Sequence, residues 1–210
     1  MLTTLNELLV ELLKQAYASA QAEAHHVLKW EWRLGLWRLM GPRRRPTEPP
    51  SIAHSRRTKL AVACVQKVLP VWHAYWPENA APLRALTAVS EALRDWSIVD
   101  PYYDILEEVI EQIEEAMQEV YWASRAGQSA VEALVVAIDD EQFKDQGQMD
   151  EGDAQTDGPN QDAAGNAAVA FARGTILHPN SDPAARLEFW RWYLEEAVPS
   201  VFDGDRLRLS

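Results

Sequence analysis

Apolar residues recur every three or four positions along almost the whole of this chain, and no run alternates as a half-buried strand would. That pattern restricts the chain to packed helices, whose boundaries the prolines and capping residues suggest. Thr4 with Glu7 forms a capping-box pattern that opens a helix over roughly 5–18. A second helix is expected from about 21 to 40, stopped by Gly41-Pro42, and the proline-rich stretch to Pro50 reads as loop. Ser51 can cap a helix to about 69, which Pro70 should kink or restart before Pro77. Pro82 suits the start of a helix over 82–95. Asp100-Pro101 carries a cap-plus-proline signature, with Asp100 as the expected N-cap, and starts the longest amphipathic stretch, to about 125. Ser129 with Glu132 forms another capping box for a helix to about 142. Residues 145–162 hold almost nothing apolar and read as a flexible acidic loop. A short Ala-rich helix near 160–173 follows, ended by Gly174. The expected fold is all-α, a compact bundle or orthogonal array of about eight helices in one domain over 1–210. No repeat of solenoid length is evident.

The most distinctive segment lies at 182–199. Asp182 is a good N-cap, Pro183 fits the first helical position, and Pro199 is expected to close the helix. Between them Leu187, Trp190, Leu194 and Val198 recur at helical spacing, with Phe189, Tyr193 and Ala197 beside them. So wide an apolar face needs a deep seat in a core.

Charge is unevenly spread. The net charge is −12, but residues 1–60 carry ten Lys/Arg against five Asp/Glu, whereas 95–162 carry nineteen Asp/Glu against two Lys/Arg. Such polarity suits either neutralisation within the fold or an electropositive partner steered to the acidic half. The single cysteine, Cys64, rules out an intramolecular disulfide framework and fits a reducing compartment. No window reads as a membrane span. Ala18-Ser19-Ala20 superficially resembles a signal-peptidase site, but Glu7 and Glu11 interrupt the apolar stretch before it, so a cytoplasmic location is expected.

Candidate sites follow from the same residues. On the helix expected over 101–125, Tyr102, Leu106, Val109, Ile113, Met117 and Val120 form an apolar stripe. Asp104, Glu108, Glu111 and Glu115 line the opposite face, flanked by Glu107 and Glu114. Arg125 is the one nearby cation, so few local pairs offset the repulsion. This is either a surface for a basic protein partner or an ordinary solvated face. A di-metal site would want Glu-x-x-His pairs, and no histidine lies in 95–162. His25 and His26 diverge on a helix, while His54 and His73 lack ligand spacing, so no metal or cofactor is expected. Cys64 sits in an apolar run with no base nominated beside it. Arg43, Arg44 and Arg45, with Arg56, Arg57 and Lys59, could touch nucleic acid, but the acidic half would repel phosphate. Contact with the chain's own acidic half is at least as good a reading. The nine tryptophans read mainly as core, with one or two as interface anchors. No catalytic constellation can be assembled, so an enzyme is not expected.

Tyr121-Trp-Ala-Ser-Arg-Ala-Gly-Gln-Ser-Ala-Val-Glu-Ala-Leu134, the polar loop, and Arg186-x-x-Phe189-Trp190-x-Trp192-Tyr193-Leu194-x-Glu-Ala-Val-Pro199 together resemble a family of helical immunity proteins encoded beside bacterial polymorphic toxins. The resemblance covers chiefly the C-terminal 90 residues. It implies a chain that binds and neutralises a cognate toxin, often a nuclease, by stoichiometric association and without a catalytic apparatus. The acidic residues at 104–115 are then the expected contact with a basic toxin surface, with the 139–162 segment as an additional candidate. The aromatic motif is expected to be structural. A helical scaffold or regulator of another basic protein is the alternative.

Overall fold

The computed structural model describes residues 5–45, 48–140 and 162–203. Among these lie eight helices and no strand. In chain order they are α1 (Leu5–Ala22), α2 (Trp30–Leu39), α3 (Ile52–Tyr75), α4 (Ala81–Arg94), α5 (Asp100–Glu119), α6 (Tyr121–Asp139), α7 (Ala163–Phe171) and α8 (Pro183–Trp192). From α8 the chain continues unbroken through a π turn, Tyr193–Ala197, into a final helical stretch, Val198–Asp203. Thr4 and residues 145–161 of the acidic loop expected at 145–162 lie outside the described residues, whereas Asp162 is described and buried.

α6 occupies the centre and packs against α3, α4, α5 and α7. Its composition explains why: Ala123, Ser124, Ala126, Gly127, Ala130, Ala133 and Ala137 present little bulk, and the helix is buried on nearly every side. A helix surrounded by others must either be apolar all round or satisfy its polar groups locally. Ser124 does the latter, its hydroxyl donating to the Tyr121 carbonyl at 2.7 Å. Ser129 bonds across to a neighbour, donating to the Ala163 carbonyl at 2.8 Å. It is therefore a fastener between α6 and α7 rather than the start of a capping box, and the helix runs through it. Gly127 marks the closest approach. A Cβ there would lie 2.6 Å from the Trp72 ring and 2.8 Å from Ile113. Gly127→Ala should therefore cost about 1–3 kcal/mol in unfolding free energy despite alanine's better helix propensity, as denaturant titration would show.

Several boundaries follow the local chemistry. Ser51 accepts from the His54 amide at 3.0 Å, Asp182 from the Ala185 amide at 3.0 Å, and Asp162 from the Gly165 amide at 2.7 Å. Others differ from expectation. The stretch expected over 21–40 is broken at 23–29, with His26 in the left-handed region at φ 54°. α3 runs on through Pro70 to Tyr75. Asp100 is the first helical residue rather than the cap, which is Val99. The helix expected to reach 125 stops at Val120, whose extended backbone (φ −138°, ψ 88°) turns the chain from α5 into α6. Pro199 does not end the last helix. The π turn sends the Val198 amide to the Tyr193 carbonyl five residues back. This wider turn just ahead of Pro199 gives room for a ring that would otherwise press on the preceding turn.

Candidate functional site

α5 separates its two faces. Tyr102, Val109, Ile113 and Ala116 are buried against the core, while Leu106 and Met117 are half-buried. Asp104, Glu107, Glu108, Glu111, Glu114 and Glu115 are all exposed. At 1.5 Å of rise per residue, the row from Asp104 to Glu115 is about 16 Å long. Among the described residues the cationic partner on this row is Arg84 of α4, which pairs with Glu108, both half-exposed. The carboxylates stand three and four residues apart, spacings at which like charges repel by about 0.2–0.5 kcal/mol per pair. No basic residue occupies the last turn of α5, where a cation would favour the helix dipole. At that end Glu119 accepts a hydrogen bond from Trp76 Nε1 at 2.7 Å.

The two aspartates that bound the acidic 141–161 segment are not part of any such surface. Asp140, in the left-handed region at φ 54°, is fully buried at the end of α6. Its carboxylate accepts Arg57 Nε at 2.6 Å and Nη2 at 2.5 Å, and the Arg44 amide at 2.6 Å. Arg57 also donates to the carbonyls of Gly41 and Pro42, each at 3.0 Å, and Arg44 to those of Ile138 and Glu48. Asp162 is fully buried too and accepts Arg33 Nε at 3.0 Å. Asp139 accepts from Tyr103 Oη at 2.7 Å, and its carbonyl accepts from Arg43 Nη2 at 3.3 Å. Of the expected acidic contact at 139–162, these terminal positions are thus engaged within the fold, and 141–161 lie outside the described residues.

His54, Cys64 and Tyr193 are buried, and burial disfavours the charged form of each. His54 donates through Nε2 to the Val136 carbonyl at 2.8 Å, and burial lowers its pKa, favouring the neutral ring. Burial pushes the Cys64 thiol well above its usual range, with Asp162 adding to the effect, so the thiolate is suppressed. Burial likewise raises Tyr193. No group of three His, Cys, Asp or Glu among the described residues could hold a metal ion, and no described helix is long and apolar enough to cross a membrane.

The C-terminal aromatic motif lies inside the molecule. Phe189, Trp190, Tyr193 and Leu194 are buried, and Phe189 and Tyr193 meet Trp190 edge to face with ring centroids 5.1 and 5.6 Å away. Trp192 is half-buried beneath Lys67, whose Nζ lies 5.0 Å from the ring centroid, and Pro199 is half-buried. Arg186 is 1 % exposed and donates to the carbonyls of Gly174 (2.5 Å) and His25 (3.3 Å) and to Ser181 Oγ (2.9 Å). It ties α8 to the loop before it and to the α1–α2 connection.

Sequence reasoning did not single out a groove where α3, α6 and α7 converge. Its volume is about 830 Å³, and its walls include Pro70, Tyr75, Trp122, Phe171 and Arg173. Tyr75 meets Trp122 edge to face at 5.2 Å and is 46 % exposed. The scattered tryptophan positions give no local pattern from which this convergence could have been read.

No curated protein matches the chain. A family model does match, that of immunity protein Imm5, and it covers residues 13–200, from α1 through the aromatic motif to the residue after Pro199. The chain therefore belongs to the Imm5 immunity protein family and is an immunity protein against a toxin.

Proposed function

We propose that the chain neutralises its toxin by stoichiometric binding in the cytoplasm, without catalysis or cofactor, and that the outer face of α5 supplies the contact. The proposed target is a nuclease of a bacterial polymorphic toxin system with a basic substrate-binding surface. One observation carries this reading: six exposed carboxylates stand along one helix face with a single cationic partner among the described residues. The arrangement disfavours the isolated helix, and a row of phosphate-binding cations would relieve it while losing access to its own substrate. Long-range attraction would also speed the encounter at low salt.

The triple variant Glu108→Lys, Glu111→Lys, Glu115→Lys tests this. Affinity for the toxin should fall by about 10–100-fold and the salt dependence of association should largely vanish. The thermal midpoint of the variant should stay level, since these are exposed positions. Unchanged affinity and unchanged salt dependence would sink the assignment.

A further inference from the structure

We infer that the groove bounded by α3, α6 and α7 is a second docking site, occupied by an apolar segment of the toxin that carries a carboxylate; this rests on the toxin reading above. Tyr75, Trp122 and Phe171 give the groove aromatic walls, and its one charged lining residue is Arg173. In a chain of net charge −12, a groove whose lining charge is cationic alone selects for an acidic group beside an apolar one.

The backbone at Arg173 strengthens the argument. Its amide donates to the Ala170 carbonyl at 3.3 Å, and the Gly174 amide donates to the Val169 carbonyl at 3.0 Å. These paired bonds end α7 with a left-handed residue, a position where glycine is the usual occupant. Here an arginine holds it, at φ 58°. The fold would accept a glycine there more easily, so Arg173 stands against the local backbone preference. Among the described residues its exposed guanidinium has no hydrogen-bond or ion-pair partner, which leaves it able to receive a carboxylate.

The groove also adjoins the α5 surface. Glu119 at the end of α5 is bonded to Trp76, next to Tyr75, and Trp122 lies in the first turn of the following helix. A partner lying along the acidic row would therefore reach the groove at the α5–α6 turn.

The test uses the full chain with two blocked dipeptides, acetyl-Phe-Glu-amide and acetyl-Phe-Lys-amide, followed by the Trp122 indole N–H resonance. The glutamyl peptide should shift that resonance saturably and the lysyl peptide should not. Arg173→Gly should abolish the difference while keeping or raising the thermal midpoint, because glycine suits the left-handed position. An equal response to both peptides, or none to either, overturns the site.

Arg173→Gly, Tyr75→Ala and the α5 charge-reversal variant are then compared for binding of the toxin. About a tenfold loss for Arg173→Gly, with the fold intact, is the expected result. If both groove variants bind as tightly as the wild type while the α5 variant is weakened, the groove proposal falls and the α5 reading stands. If the wild-type chain itself binds no toxin, the occupant named here falls together with that reading.

Discussion

Asp140→Ala should lower the unfolding free energy by about 3–5 kcal/mol, seen as a fall in the urea midpoint with little change in slope. The magnitude comes from what the substitution leaves behind. Arg57 is 2 % exposed, and with Asp140 gone its guanidinium would keep the Gly41 and Pro42 carbonyls and the face of Trp37, 5.5 Å away, but no counter-charge, in a site water barely reaches. An uncompensated buried charge costs far more than the intact pair contributes. The Arg44 amide would lose its acceptor at the same time. Arg57→Ala should be comparably harmful, since it removes the donors to two loop carbonyls. The double variant should cost less than the two single losses together, with a coupling of about 0.5–3 kcal/mol. Strictly additive losses would show that the pair does not act as a unit.

That pair also explains part of the charge pattern. Arg33, Arg44 and Arg57 come from the basic N-terminal third, and Asp140 and Asp162 from the acidic stretch. The two regions neutralise one another inside the fold at these points, while the row on α5 remains outside with Arg84 as its cationic partner. Composition alone admits both arrangements, because it cannot separate a buried aspartate from an exposed glutamate.

What could be read beforehand was what local chemistry controls. Ser51 and Asp182 cap helices because a side-chain oxygen and an amide three residues on meet whenever a helix starts there. The exposed face of α5 follows from a period of 3.6. Three other features have no local signature. Val120 ends α5 with neither glycine nor proline to announce it, because the turn into α6 is imposed by packing of the two helices on one another. Pro199 is carried inside a helix because a π turn precedes it. Arg33 and Arg57 find their aspartates 129 and 83 residues away, and arginine is ordinarily a surface residue, so nothing nearby marks either as buried.

Trp190 is where the aromatic motif meets that buried electrostatics. Its side chain is 2 % exposed, with Phe189 and Tyr193 edge-on to it and the Arg33 guanidinium 5.6 Å from the ring centroid. The ring forms a wall of the Arg33–Asp162 site, so it contributes packing and also keeps water from the pair. Trp190→Ala should cost about 3–5 kcal/mol, the usual range for truncating a buried large aromatic, with the upper end favoured because the cavity opens beside a buried charge. Trp190→Phe should cost well under half as much. The indole Nε1 has no hydrogen-bond partner among the described residues, so phenylalanine strands no acceptor and retains an aromatic face towards Arg33. Thermal denaturation of the two variants separates the packing role from a polar one. Were Trp190→Phe as damaging as Trp190→Ala, the indole nitrogen would have to make a bond of its own, and the ring could not be acting simply as an apolar wall.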